Sequence, residues 1–247
     1  MKALPKQMEL YTYEILNRVE NSHWWFVGRR KILEFFLTKI TAEIKGPKIL
    51  DVGCGTGANL EMLGKFGDAQ GVDVAEEAIK FCSKKGLKAQ IGLAEELPFS
   101  DESFDLVTAL DVIEHLDDDL KGLKEIHRVL RRGGKTLIFV PAFMWLWGVQ
   151  DEISNHRIRY TKKQIVSRLR EVGFKIERAT YANITFLLPI FLGRLLIRIT
   201  GLKPKSENNI NLWFLNGIFG GIFAAESFWL RFFDIPIGVS IIVVAEK

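Results

Sequence analysis

The segment 51–57 constrains the fold of this chain more than any other. It reads Asp-Val-Gly-Cys-Gly-Thr-Gly and follows the apolar run 48–50. A strand that feeds a glycine-rich turn and then a helix is a common device for aiming backbone N–H groups at a nucleotide-like ligand. We therefore predict a βα unit here, with a helix near 58–66.

The glycines alone leave the ligand open, because Gly53, Gly55 and Ala58 also fit the dinucleotide fingerprint of nicotinamide and flavin enzymes. Asp51 argues against a dinucleotide, because a carboxylate at the tip of the strand would repel a pyrophosphate. S-adenosylmethionine (SAM) has no phosphate and carries an ammonium and a sulfonium. Asp73 ends the next predicted strand, where a carboxylate can accept both ribose hydroxyls. The acids favour SAM; the alternative is a tight turn with surface acids.

The length and composition favour a single globular domain with additional segments around its core. The chain has 247 residues, of which 48% are hydrophobic and 26% charged, and this charge argues against a multi-span membrane protein. We divide it into an N-terminal helical lid (1–46), a core (47–181), a helical cap (182–236) and a final strand (237–247).

The two cysteines, Cys54 and Cys82, make no C-x-x-C or Cys/His spacing, so neither a disulfide framework nor a metal site is predicted. The first residues lack an apolar stretch typical of a secretory signal. We expect a cytoplasmic protein, with membrane association left open.

Strand-like and helix-like segments alternate from residue 47 onward, which indicates a doubly wound, mostly parallel sheet. Helices are predicted near 7–20, 22–45, 58–66, 75–85, 117–131 and 161–172, with Thr161 as an N-cap. Gly133-Gly134 and Gly173 are placed at helix C-termini. The predicted strands are Lys48–Val52, Ala69–Asp73, Lys88–Ile91, Phe104–Leu110, Lys135–Val140, Lys175–Tyr181 and Val239–Ala245.

The segment 182–236 is too long for a simple connection and is rich in aromatic residues. We predict two helices that cap the substrate cleft, one of them lying in a membrane interface. Alternatives are an extension of the core or a homodimer surface. The stretches 153–170 and 182–206 carry six and four basic residues and no acid, which favours an anionic substrate or membrane, or simply a solvated face.

Five ordered blocks resemble class I SAM-dependent methyltransferases of the type 11 group. The resemblance covers about 47–181 and implies a Rossmann-like α/β sheet of seven strands whose last strand is antiparallel. It also implies SAM as cofactor and S-adenosylhomocysteine (SAH) as product. The blocks are Asp51 to Gly57, Gly71-Val72-Asp73, Ala94 to Phe99, Ser103 to Val107 and Asp111 to Leu116.

The resemblance implies a role for each matching residue. Asp51, Gly53, Gly55 and the third glycine of the turn, Gly57, would border the methionine moiety, and Asp73 the ribose. The adenine would meet Val74, Ala94 and Glu95, and the methyl-donor end would meet Leu110 and Asp111. Relatives usually carry an aspartate where Leu93 stands, so apolar packing is expected there.

Two further blocks resemble a narrower subgroup associated with lipid or cell-surface glycan metabolism. The segment 23–30 would close over the site, with Trp25 and Arg29 on the cofactor and His23 and Trp24 on the substrate. Aromatic faces attract a sulfonium, and arginines bind carboxylate or phosphate. In the segment 151–161, relatives usually carry glycine in place of Asn155, and the expected substrate residues are Asp151, Arg157, Arg159 and Tyr160.

Methyl transfer needs alignment, exclusion of water and, for a protonated acceptor, a base. His115 and His156 are the candidate bases, although each could instead orient a loop or bind phosphate. The leading hypothesis is methyl transfer from SAM to a small, anionic or lipid-linked acceptor at oxygen. A non-catalytic SAM-fold regulatory subunit is the alternative. Nucleic acid is not expected as a partner, because no Asn/Asp-Pro-Pro-aromatic tetrapeptide follows the fourth strand.

Overall fold

One mixed sheet of seven strands forms the centre of the protein. The computed structural model describes residues 10–201 and 213–247. The strands are β1 (Lys48–Val52), β2 (Asp68–Asp73), β3 (Ala89–Ile91), β4 (Phe104–Leu110), β5 (Leu130–Pro141), β6 (Lys175–Ala182) and β7 (Ser240–Glu246).

The strand order is β3-β2-β1-β4-β5-β7-β6. Strands β1 to β5 pair in parallel, and β7 runs antiparallel to both of its neighbours, β5 and β6. The central strands are apolar along their length because both faces of the sheet are covered; β4, for example, is buried at every residue except Asp105. The predicted seven-stranded α/β fold with an antiparallel last strand is confirmed.

The order of the strands reverses between β1 and β4, and the carboxyl ends of β1 to β5 meet at one edge. In open α/β sheets ligands bind in the crevice outside such a reversal. The fold thus places the ends of β1, β2 and β4 around one location.

Nine α-helices lie within the described residues, together with short 3₁₀ turns such as Ile113–His115. They are α1 (Leu10–Val19), α2 (Trp24–Thr41), α3 (Ala58–Leu63), α4 (Glu76–Lys84), α5 (Asp119–Val129), α6 (Val149–Ile153), α7 (Lys162–Val172), α8 (Leu187–Thr200) and α9 (Asn216–Trp229). The first residues of the helix predicted at 7–20, and residues 202–212 of the segment 182–236, lie outside the described part. None of the described helices has the length and apolar content needed to span a membrane.

The prediction that Gly133-Gly134 ends a helix was wrong. Helix α5 ends at Val129, and both glycines lie in the first part of β5. There the N–H of Gly133 donates to the carbonyl of Lys247 (3.1 Å), and the N–H of Lys247 donates to the carbonyl of Gly134 (2.9 Å). Pairing with the distant C-terminal strand therefore determines this segment, which local glycine signals do not reveal.

Helices α2 and α9 are far apart in the sequence but pack closely on each other. Gly28 on α2 faces Phe223 on α9, which is fully buried. A Cβ atom at Gly28 would lie 2.7 Å from Phe223 Cδ1 and 2.8 Å from Phe223 Cβ. Only glycine allows this approach, so the N-terminal and cap helices form one packed layer.

The contact between Gly28 and Phe223 generates a stability prediction with a matched control. Gly28→Ala and Gly221→Ala both gain about 1 kcal/mol of helix propensity. Only the first change meets Phe223, whereas a Cβ at Gly221 meets nothing within 4 Å. We expect Gly28→Ala to be less stable than Gly221→Ala by about 1–3 kcal/mol in denaturant unfolding. Equal stability would show that the helix pair is not tightly packed.

Candidate active site

A cavity of about 770 Å³ lies along the carboxyl ends of the parallel strands. Its volume falls within the range of small-molecule and cofactor sites. It is lined by the ends of β1, β2 and β4, by the lid helix α2, by the segment after β5, and by the cap helices α8 and α9. One cavity therefore joins the predicted cofactor region to the loops after β5.

The glycine turn after β1 depends on left-handed backbone conformations. Gly53, Gly55 and Gly57 have φ values of 68°, 53° and 95°. The N–H groups of Gly53 (2.7 Å) and Cys54 (3.1 Å) both donate to the carbonyl of Val72, which joins the turn to β2. Gly53 and Gly55 line the cavity, whereas Gly57 lies outside the lining, where a Cβ would approach Leu87. Gly57 thus serves the fold of the turn.

Asp73 lines the cavity at the end of β2 and is anchored on both oxygens. The N–H of Gly55 donates to Oδ2 (2.9 Å), and the N–H of Ala75 donates to Oδ1 (3.0 Å). Burial raises the pKa of this carboxyl. Each carboxylate oxygen accepts more than one hydrogen bond, so Asp73 retains capacity for ribose hydroxyls.

Asp51 lies beneath the turn rather than in the cavity wall, and it is buried. Thr108 Oγ1 donates to its Oδ1 at 2.7 Å, while Oδ2 has no hydrogen-bond partner among the described residues. Burial raises the pKa of Asp51 to about 7, although the hydrogen bond from Thr108 opposes the shift. An orphaned acidic oxygen beside this turn suits a cationic ligand and would repel a pyrophosphate.

The predicted adenine residues also reach the cavity. Val74 follows β2, and Leu93, Ala94 and Glu95 follow β3; all four line the wall next to Asp73. Leu93 offers an apolar surface, as expected from its departure from the family pattern. These positions fit an adenosine between the ends of β2 and β3.

The lid residues Trp25 and Arg29 line the cavity from above the end of β4. The Arg29 guanidinium forms an ion pair with Asp111 and donates to Asn59 Oδ1 at 3.0 Å. It also lies 4.8 Å from the centre of the Trp25 ring. Asp111 has a left-handed backbone (φ 61°) and, with Leu110, lines the cavity. Arg29 is therefore committed to Asp111.

His23 and Trp24 line the cavity at the start of α2. His23 is the N-cap residue, and its Nδ1 accepts a hydrogen bond from the N–H of Trp25 at 3.3 Å. Burial lowers its pKa to about 4, so the ring is neutral at physiological pH. His23 thus has a structural role in starting the lid helix.

Asp151 organises the end of the cavity that follows β5, from a fully buried position. It accepts hydrogen bonds from His156 Nδ1 (2.8 Å), Arg159 Nε (2.7 Å) and the N–H of Gly148 (2.7 Å). Burial would raise the pKa of Asp151, but the hydrogen bonds from His156 and Arg159 outweigh it and lower the pKa to about 2. Asp151 is thus an ionised anchor for residues that line the cavity.

The two predicted bases lie against each other. The ring centres of His115 and His156 are 4.6 Å apart and the rings are nearly perpendicular. Both line the cavity. Burial, followed by the proximity of His156, lowers the pKa of His115 to about 3, so His115 is a neutral neighbour of His156.

Three of the predicted substrate residues, Asp151, Arg157 and Tyr160, lie outside the cavity lining. Tyr160 is buried and donates from its hydroxyl to Asp119 Oδ2 at 2.8 Å. The exposed Arg157 pairs with Asp117. Asn155 has a φ of 53°, a left-handed conformation that glycine adopts readily and that asparagine tolerates.

Sequence reasoning missed Glu114 and Arg194. Arg194, on α8, lines the cavity 3.6 Å from Asp151 Oδ2 and donates to the carbonyl of Leu146. Its signal in the sequence is an arginine within a largely apolar helix whose charged residues are Arg194 and Arg198. Glu114 is completely buried; the block Asp111 to Leu116 that resembles the family contains it, but the block alone assigns it no role.

The raised pKa of Asp51 predicts a pH-dependent stability. Because the folded state binds this proton more tightly than the unfolded state, stability falls as pH rises from about 4 to about 7. Asp51→Asn keeps the acceptor for Thr108 and removes the titration. Between pH 4 and 8, we expect the free energy of unfolding of the wild type to fall by on the order of 4 kcal/mol relative to that of Asp51→Asn. Each unit of pKa shift corresponds to about 1.4 kcal/mol. If denaturant unfolding gave the wild type and Asp51→Asn parallel profiles of stability against pH, the raised pKa of Asp51 would be contradicted.

Comparisons with known proteins agree with this geometry. The family model described as "Methyltransferase domain" matches residues 50–138. An uncharacterised protein of Methanocaldococcus jannaschii is 31% identical over 163 residues, which cover 63% of this chain and 78% of that protein. The demethylmenaquinone methyltransferase of Chlorobaculum parvum is 33% identical over 138 residues, which cover 53% of this chain. The chain spans about half the length of that enzyme (55%).

Among solved structures, the fold is similar to a chain of the complex between a Haloferax volcanii methyltransferase and the Trm112 methyltransferase activator. The TM-score is 0.63 with 18% identity, and the match covers 98% of each chain. This likeness concerns the fold alone. The matched segment 50–138 contains the glycine turn, Asp73 and Asp111, the residues around which the cavity is built. The chain belongs to the class I SAM-dependent methyltransferases.

Proposed function

We propose that the protein transfers the methyl group of SAM to an oxygen of a small acceptor that carries an anionic group or a lipid. The observation that carries the proposal is the single cavity that runs from Asp73 to the Asp151–His156 pair. A donor site and a proton acceptor that share one cavity are what a transfer between two bound molecules requires.

The donor end would hold SAM by contacts that the chain already presents. Asp73 accepts from the ribose hydroxyls, and Val74 and Leu93 pack on the adenine. The turn at Gly53–Gly55 would border the methionine moiety, with the carboxyl group of Asp51 beneath it. Bound SAM supplies an activated methyl group, whose carbon–sulfur bond breaks as the acceptor oxygen attacks and whose bonding electrons pass to sulfur.

His156 is the proposed base at the acceptor end. The hydrogen bond from its Nδ1 to Asp151 assigns the proton to Nδ1, so that Nε2 carries the lone pair. Nε2 takes the proton of the acceptor hydroxyl as the oxygen forms its bond to carbon. His115 is a positioning residue, because its neutral ring limits the movement of His156.

The charges at this end favour an anionic acceptor. Arg159 and Arg194 both line the cavity and both approach the single carboxylate of Asp151. The third arginine of this region, Arg29, is balanced by Asp111. Guanidinium groups in the cavity wall can bind a carboxylate or a phosphate of the acceptor.

Two variants separate cofactor binding from transfer. In isothermal titration, we expect Asp73→Ala to lose SAM binding and His156→Gln to keep it. Methyl transfer by His156→Gln to quinol-like phenols or prenyl-phosphate sugars should fall by about 10²–10⁴-fold. His127→Gln, outside the cavity lining, is the matched control and should retain activity. Full activity of His156→Gln would contradict its role as base, and absence of SAM binding by the wild type would contradict the proposal.

We further propose that the cap faces an anionic lipid bilayer. Helix α8 is apolar on two sides: Pro189, Ile190 and Ile197 line the cavity, while other residues point outward. The outward set, spaced three or four residues apart, is Leu188, Leu192, Leu195 and Ile199, and all four are exposed. A helix that is apolar all round is normally buried. Its 14 residues suit a position in the plane of the interface.

The charges near this face have the sign that anionic lipids attract. Over 183–201 and 213–237, the arginines are Arg194, Arg198 and Arg231, of which the last two are exposed. The carboxylates there are Glu226, which is buried, and Asp234, which pairs with Arg178. Exposed aromatic residues on α9, such as Phe228 and Trp229, extend the apolar surface. A lipid-linked acceptor would then enter the cavity from the membrane.

Vesicle binding tests the lipid face. We expect the wild type to co-sediment with phosphatidylglycerol vesicles, and Leu192→Glu to bind at least about 10-fold more weakly because a carboxylate enters the interface. Ile91→Glu changes an equally exposed apolar residue on β3 and should bind as the wild type does. The proposal would be contradicted if Leu192→Glu bound vesicles as well as the wild type does. It would also be contradicted if the wild type bound no vesicles and instead formed a dimer that Leu192→Glu converts to monomers.

A further inference from the structure

We infer that Glu114, His115 and His156 form a site for one divalent transition-metal cation at the acceptor end of the cavity. One ligand atom from each residue lies within 4.8 Å of the others. Two ligands about 2.1 Å from a shared cation lie at most about 4.2 Å apart. The site therefore needs small side-chain rotations to close around an ion.

Glu114 is the residue that most requires a partner. It is 0% exposed, and neither carboxylate oxygen has a hydrogen-bond donor among the described residues. The nearby Asp111 already pairs with Arg29. A cation would neutralise the carboxylate and satisfy both oxygens.

His156 is already oriented as a metal ligand. Its Nδ1 is held by Asp151 at 2.8 Å, which leaves Nε2 available. A carboxylate behind a histidine is the usual outer support of a metal-bound imidazole, because it fixes the tautomer and the ring orientation. Asp151 is itself fixed by Arg159 and Gly148, so the support is rigid.

His115 supplies the second imidazole of the cluster. Its ring centre lies 4.6 Å from that of His156, and both rings line the cavity. One of its ring nitrogens lies within 4.8 Å of a ligand atom of Glu114 and of His156.

The donor set defines the class of cation. Two imidazoles and one carboxylate suit Zn²⁺, Mn²⁺, Fe²⁺ or Co²⁺, whereas Mg²⁺ and Ca²⁺ prefer oxygen ligands. His115 and His156 line the cavity, so the remaining coordination positions face the acceptor. The ligands come from two separated segments, which explains why sequence spacing predicted no metal.

The consequence for the reaction rests on the proposed function. A cation here would bind the acceptor hydroxyl and lower its pKa, so that the proton leaves to water before the oxygen attacks. In the metal-loaded protein His156 is then a ligand instead of the base. The acceptor class narrows to molecules that present a hydroxyl, or an oxygen next to one, to a metal.

Metal titration of chelator-treated, tag-free protein tests the site. We expect the wild type to bind one Co²⁺ or Zn²⁺ in isothermal titration, with visible d–d bands for Co²⁺. Glu114→Gln, an isosteric change, should bind at least about 10-fold more weakly. Glu95→Gln, in the same cavity but outside the cluster, should bind as the wild type does.

SAH titration of the same proteins separates this inference from the proposed function. Retained SAH binding by Glu114→Gln shows that the variant is folded. A wild type that binds SAH but no Co²⁺ or Zn²⁺, or a Glu114→Gln protein that binds them equally well, would overturn the metal site alone. A wild type that does not bind SAH would overturn the proposed function instead.

Discussion

The ion pair between Arg29 and Asp111 connects the parts of the protein that surround the cavity. Asp111 ends β4 in a left-handed conformation, and its N–H donates to the carbonyl of Phe139 in β5 at 2.8 Å. Arg29 reaches it from the lid helix α2 and also bonds Asn59 at the start of α3. Arg29 is buried and Asp111 is partly exposed, so removing Asp111 would leave an uncompensated buried charge. The pair therefore holds the lid above the strand ends.

Around this connection, the two ends of the cavity differ in charge. The donor end has Asp51 and Asp73, both acids with pKa values raised by burial. The acceptor end has Arg159 and Arg194 sharing Asp151. Under the proposed function, a cationic cofactor would meet the acids and an anionic acceptor would meet the guanidinium groups.

Much of the core could be predicted from the sequence because its signals are local. The predicted bounds of β1 and β4 agree with the structure, since buried parallel strands are continuous apolar runs. The helix between Thr161 and Gly173 also agrees, because its N-cap side chain and its left-handed C-terminal glycine are encoded at its own ends.

The parts that failed depend on distant partners. The glycines at 133–134 follow their pairing with Lys247, and the importance of Glu114 and Arg194 arises only when α8 and the loop after β5 meet. For the site, the sequence identified most residues that line the cavity near the glycine turn. It could not show that Arg29 is committed to Asp111, or that Tyr160 is committed to Asp119. Side-chain partners of this kind are fixed by tertiary packing.

The central claim is that the cavity at the carboxyl ends of the strands holds the methyl donor at one end and leaves the His156 end for the acceptor. A crystal structure of the protein with SAH tests it most directly. We expect density with the ribose on Asp73, the adenine beside Leu93 and the sulfur directed toward His156. Density for SAH elsewhere, or in this cavity with the adenosine at the His156 end, would contradict it.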